Sequence, residues 1–253
     1  MERRSHENRP SDDALAEALR RVGGGDFSFK FEDTSGVLAR MFNTMVDGLK
    51  ERDRIRDTFG RYMTRQVSDA ILRGDVKLGG ERRIATMLIA EVREYDGLAE
   101  TREPERLVEI VNRYLEASVQ CVMANDGTID KFDHGGRGIT VIFGSPVKDE
   151  HHAAKAVACG VQLRDRMRGF ERAEPAIHMD IGIATGPIIA GNIGATGRME
   201  YTALGPAALR AERLKDEARK TDAGLLVSPP TAEAAGQGFK FRRVSDLAYL
   251  VDG

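Results

Sequence analysis

The 253-residue chain has no tryptophan and only two cysteines, Cys121 and Cys159. So few thiols exclude a disulfide-stapled scaffold. Both lie inside apolar helical patterns, which suits reduced, buried thiols in a cytosolic protein. Long apolar runs are also missing. Uninterrupted apolar stretches are short, as in Met87 to Ala90, and none approaches the ~18–20 residues a membrane helix needs. No signal-peptide apolar core follows Met1. Neither sign of charge accumulates: 38 Lys+Arg stand against 40 Asp+Glu, a net charge of −2. Phosphate neutralisation needs a surplus of positive charge, so composition gives no case for a nucleic-acid partner. What is present is a globular mixture, 41% hydrophobic and 31% charged. The length suggests one or two domains at roughly 100–200 residues each. The expectation is a soluble, cytoplasmic protein without a membrane span.

Residues 1–9 are polar and read as a flexible tail. Pro10, Ser11, Asp12 and Asp13 then suit a helix start. Leu15, Leu19 and Val22 follow at spacings of four and three, and Gly23-Gly24-Gly25 stops the helix. Leu38, Phe42, Met45 and Leu49 make a second stripe at spacings of four, three and four, the pattern of a coiled-coil seam. The charged segment after Glu51 continues as a helix toward Gly74. From Arg83 the pattern changes. Ile84–Val92 reads as a buried strand and Glu105–Met123 as an amphipathic helix. Gly127–Phe132 and Gly138–Phe143 read as a hairpin, Ala153–Met167 as a helix and Ile177–Ile183 as a strand. A glycine-rich bend at Gly191–Gly194 precedes a third helix, Leu204–Arg219. Strand, helix, hairpin, helix, strand is a ferredoxin-like α+β layout.

Two resemblances attach to these segments. Pro10, Gly24-Gly25-Asp26-Phe27 and Leu38–Met45 resemble a HAMP signalling module. That resemblance implies a parallel bundle formed by two chains. Asp130-Lys131-Phe132, Val141–Gly144, Ile181–Pro187, Ala190–Gly194 and Met199–Gly205 resemble the catalytic homology domain of class III adenylate/guanylate cyclases, in that family's order. The implied organisation is a HAMP-like module at 10–57, a linker helix at 58–80 and a cyclase homology domain at 81–253.

The cyclase resemblance implies ring closure of a nucleoside triphosphate, with Mg or Mn ions held by two carboxylates in a site at a dimer interface. The first carboxylate position is Glu91, where the family has Asp. The second falls in the hairpin, where Lys131 to Phe143 is two residues longer than the family pattern. No carboxylate holds the expected register there. Asp133 lies nearby, and Arg137 brings positive charge where cations belong. Lys131 matches the base-reading lysine, and Arg213 matches the arginine that stabilises transition-state charge. Pro206 replaces the second base-reading residue and Leu209 the ribose-orienting asparagine. Neither offers a side-chain hydrogen bond. The phosphate loop becomes Glu94-Tyr95, whose charge repels a triphosphate. His151-His152 opens a helix, but adjacent residues do not share a face.

The expectation is a dimeric signalling pseudocyclase with no cofactor, a homodimer through both regions that engages a protein signalling partner. The alternatives are a cyclase with an altered metal site, using Glu91 and Asp133 with Mg or Mn and ATP, and a nucleotide-binding sensor working through Lys131 and Arg213. A pairing of Arg137 with Glu91 across the two metal positions is expected, against the alternative of a disordered hairpin tip.

Overall fold

The computed structural model describes residues 10–32, 34, 36–62, 80–133, 135–169, 177–195, 198–221 and 224–252. The chain divides into two compact units, residues 1–63 and 64–253.

In the first unit, helix α1 spans Asp12–Gly23 and α2 spans Val37–Tyr62. Ser11 caps α1 by accepting from the backbone N–H of Ala14, with Asp12 and Asp13 in the first turn and Arg20 and Arg21 in the last. All four charges complement the helix dipole. The connector is an aromatic wall. Phe31 stands edge-on to Phe42 with ring centroids 5.1 Å apart and to Phe29 at 5.2 Å. The Asn43 amide accepts from Phe31 N–H and donates to Phe31 C=O. This corrects the expected seam. Phe42 is buried within the unit, with Val46 and Ala18, while Met45 is 40% exposed. The outward stripe is Val37, Met41 and Met45, because the three connector phenylalanines claim the Phe42 face. Helix α2 runs unbroken through residue 57, where the sequence suggests a border between module and linker. The tail and residues 63–79 of the linker lie outside the described residues.

The second unit reads β1 (Glu81–Val92), α3 (Tyr95–Thr101), α4 (Pro104–Ala124), β2 (Thr128–Asp133), β3 (Gly138–Phe143), α5 (His152–Arg168) and β4 (Met179–Ala195). It continues through β5 (Arg198–Leu204), α6 (Pro206–Ala218), β6 (Leu225–Val227), α7 (Pro229–Ala235), β7 (Lys240–Arg243) and β8 (Tyr249–Asp252). The strands order as β2-β3-β1-β4-β6-β8-β7, with β5 on β4. The β2-β3-β1-β4 portion is antiparallel throughout, so the ferredoxin-like α+β layout is present.

Successive side chains of β1 alternate between two faces. Leu88, Ala90 and Val92 join the core formed with Tyr114 and Cys121 of α4 and Cys159 and Leu163 of α5. Both cysteines are free and buried, and burial pushes the Cys159 thiol up. Met87, Ile89 and Glu91 face α6. That helix sits close to the sheet because Gly182, opposite Ile89, has no Cβ; one there would collide with the backbone of Ala211 and Lys215. One expectation fails. Gly191–Gly194 is not a bend but the far half of β4, paired with β5 through Gly191 opposite Thr202. A glycine is needed at 191 because the Gly80 backbone lies against it.

Candidate functional site

Glu91 lies at the end of β1, directly opposite Asp180 of β4. Its side chain is 13% exposed and that of Asp180 is fully buried. Like charges facing across a strand pair repel, and cations offset the repulsion here. Lys215 of α6 donates to Glu91 Oε2 at 2.6 Å. Just past α6, Arg219 bridges both acids, 3.5 Å from Glu91 Oε2 and 3.2 Å from Asp180 Oδ2. Arg93 forks onto Asp180, and Arg137 donates to Glu91 Oε1 at 3.4 Å. Burial opposes ionisation of Glu91, but Lys215, Arg219 and Arg137 outweigh it and hold its carboxyl below the usual range. Burial likewise disfavours charge on Lys215, yet Glu212, Glu91 and Asp216 raise its pKa.

Arg137 reaches Glu91 because the hairpin tip is fastened down. Tyr95 Oη donates to Gly135 C=O at 3.0 Å, Tyr114 Oη donates to Gly136 C=O, and Val92 N–H donates to Arg137 C=O at 2.9 Å. Gly136 has φ +95° and packs so closely on Val111 that a Cβ would collide with it; both conditions call for glycine. The Arg137 guanidinium lies 5.4 Å from the Tyr95 ring centroid and pairs with Asp96. Its Nε is buried and has no hydrogen-bond partner. The expected Arg137–Glu91 contact is therefore made, and the described tip residues are docked rather than loose. His134 lies outside the described residues.

The other sequence-derived positions divide into two groups. Asp133 accepts from Thr140 Oγ1 at 2.6 Å. It lines, with Glu91, Arg137, Lys215 and Arg219, a cavity of about 360 Å³. Lys131, Pro206, Leu209 and Arg213 are exposed and do not line it. On α6 the buried face is Ala207, Ala211, Leu214, Lys215 and Ala218, which turns Leu209 and Arg213 away from Glu91. Sequence reasoning missed Asp180, Lys215, Arg219 and Arg93. The signals were an acid inside the alternating strand 179–183 and a lysine four residues after Ala211, on the apolar side of α6.

A second buried polar group sits nearer the start of β1 and farther along the antiparallel β4. Thr86 Oγ1 is 2.7 Å from His152 Nδ1 and 2.7 Å from Thr185 Oγ1. Thr231 Oγ1 donates to Thr185 Oγ1 at 3.0 Å and lies 2.8 Å from Ser228 Oγ. Burial lowers the His152 pKa against the pull of Asp149.

Magnesium or manganese is bound by several carboxylate and water oxygens at about 2.1 Å. Both Glu91 oxygens are instead engaged by side-chain cations. A guanidinium occupies the opposing hairpin position. These residues do not fit a two-metal centre.

A family model described as the adenylate and guanylate cyclase catalytic domain matches residues 81–249. An uncharacterized protein of Mycobacterium tuberculosis is 36% identical over 224 residues, 87% of this chain and 41% of its own length. One from Mycobacterium bovis matches equally. The chain thus spans about two fifths of the length of the curated relatives it matches. Among solved structures, the guanylyl cyclase Cya2 is 30% identical with TM-score 0.61, covering 70% of this chain and 95% of that one. The adenylyl cyclase CyaB from P. aeruginosa is 29% identical with TM-score 0.63, covering 70% and 97%.

Proposed function

The chain belongs to the adenylate and guanylate cyclase catalytic-domain family, and from that premise we propose that it is a pseudocyclase, a dimeric signalling scaffold without efficient cyclic nucleotide synthesis. The observation that carries this reading is the Glu91 carboxylate, held by Lys215, Arg219 and Arg137. Phosphoryl transfer in this family relies on positioned metal ions to neutralise developing charge, and here the chain's own cations hold the carboxylate those ions need. Pro206 and Leu209 add nothing that hydrogen-bonds a base or a ribose. Lys131 and Arg213 keep the residue types of the resemblance, exposed on the surface.

Two apolar surfaces support assembly of two copies. On the sheet, Ile84 (62% exposed), Ile189 (46%) and Leu204 (56%) lie on one face, linked by the cross-strand pairs Ile84–Pro187 and Ile189–Leu204. On α2, Val37, Met41 and Met45 form the outward stripe, in line with a HAMP-like module at 10–57 that joins two chains. The dimer serves a cytoplasmic protein partner.

Purified protein with ATP or GTP and Mg²⁺ or Mn²⁺ should yield no cyclic nucleotide by mass spectrometry. It should scatter light as a dimer at micromolar concentration, and Met41→Lys with Met45→Lys should shift it toward monomer, since charge buried in an apolar seam is costly. Turnover at ordinary rates that Glu91→Ala abolishes would overturn the reading, and a monomeric unmodified protein would overturn the scaffold part of it.

A further inference from the structure

We propose that the Lys215 ammonium is a resident cation that fills the place of a divalent ion at the end of β1, so that the site is complete without added metal. The inference rests on the reading above and deepens it by naming what occupies the site.

Lys215 is the innermost cation of the cluster. Its side chain is 6% exposed, against 44% for Arg219 and 29% for Arg137. An ammonium has three N–H donors, and three carboxylates surround this one: Glu91 at 2.6 Å, Glu212 at 2.7 Å and Asp216 at 3.1 Å. The placement follows from the fold. Gly182 lets α6 press onto β4, and Lys215 lies on the pressed face between Leu214 and Ala218. A lysine there must either bury an unpaired charge or find carboxylates, and the first is prohibitive. Glu91, projecting from the same sheet face, and Glu212 and Asp216, flanking it on α6, answer that requirement. Among the described residues, no three His, Cys, Asp or Glu side chains close on a point that would hold a metal ion. The carboxylates stand instead at ammonium distances around Lys215. A cation is therefore already seated on this acidic group, and it belongs to the chain.

One ammonium and one divalent ion compete for these carboxylates, because both draw on the same negative charge and the two cations repel at such short range. The Arg137 guanidinium adds a second barrier on the hairpin side, 3.4 Å from Glu91 Oε1.

The test is Mn²⁺ binding to the full chain, read by the loss of the free-ion signal in electron paramagnetic resonance. The unmodified protein should bind no Mn²⁺ that Glu91→Gln abolishes. Lys215→Met keeps the unbranched apolar stem to Cε and removes the cation, and it should bind Mn²⁺ at least about tenfold more tightly than the unmodified protein, with a rise in melting temperature on adding Mn²⁺. Glu91-dependent binding by the unmodified protein overturns the proposal. So does a folded Lys215→Met protein with no gain. Should Lys215→Met not fold even with Mn²⁺, the comparison of unmodified protein with Glu91→Gln decides alone. The failures are separable. Cyclic nucleotide made without divalent ions defeats the pseudocyclase reading and leaves the resident cation standing, whereas Mn²⁺ binding at Glu91 without turnover does the reverse.

Discussion

Two buried polar groups sit on neighbouring stretches of β1 and β4, and they are satisfied in opposite ways. Around Glu91 and Asp180 the groups are carboxyls, and side-chain cations from α6 and its end, the hairpin and the loop after β1 pair with them. Around Thr86 and Thr185, five residues away on both β1 and β4, the groups are neutral hydroxyls and an imidazole passing hydrogen bonds from α5 to α7. A buried charge stripped of its partner keeps a desolvation penalty that nothing repays. A hydroxyl stripped of its partner loses one hydrogen bond and leaves one unmet group. The charged end should therefore be brittle and the hydroxyl end tolerant.

The sharpest way to break that contrast is Asp180→Asn. Asp180 is fully buried and holds Arg93 and Arg219, so the variant should lose about 3–5 kcal/mol of stability in urea denaturation. A loss below about 1 kcal/mol would show that solvent already screens the cluster. Next comes Thr185→Val, which keeps shape and removes the hub hydroxyl bonded to Thr86 and Thr231. Its expected loss is about 1–3 kcal/mol by the same measurement, and a larger one would erase the distinction between the two ends.

The smallest effect tests a third case, a carboxylate whose burial outweighs the attraction of the neighbouring Lys131. Asp130 on β2 accepts from Thr202 Oγ1 at 3.1 Å, and burial pushes its pKa up from 3.8 to about 6. A carboxyl with a raised folded pKa favours the fold when protonated. Its contribution is complete below pH 3.8 and is lost as pH rises through about 6. Asp130→Asn should therefore stabilise the protein at neutral pH, by about 1 kcal/mol after allowance for partial exposure. The gain should vanish toward about pH 4 in a pH series of chemical denaturation.

Period and glycine position made the fold legible in the sequence. The β1, α4, β2–β3, α5 and β4 segments follow in the expected order, with ends shifted by a few residues. The far half of β4 was misread because Gly191 and Gly194 signal a turn locally. Only the approach of Gly80 shows that the first of them serves packing. Glu91 and Arg137 stood out because they contradict a resemblance, and their contact could be anticipated. Lys215 contradicts nothing in the sequence. A lysine on a helix reads as solvated, and only its spacing from Ala211 and Ala218 betrays the buried side. Asp180 was hidden in the same way, as one acid in an alternating strand whose partners lie 87 and 39 residues distant in sequence.

The sharing of Arg219 between Glu91 and Asp180 bears on how this chain could change over evolutionary time. Substituting Arg137→Asp, the obvious first step toward a metal-binding hairpin, would shift the local balance by two charges and set a third acid against a pair already crowded. Removing Lys215 first would leave Glu91 to Arg219 and Arg137, and Asp180 to Arg93 and Arg219, with no second carboxylate supplied by the hairpin. The effect of each single step depends on the state of the other residues, since groups in one ionic network do not act additively. Mutually dependent charges of this kind work as a ratchet: removing one cation can admit a single ion, but a full two-metal centre demands several coordinated substitutions, while drift at the exposed Lys131, Leu209 and Arg213 meets no such resistance.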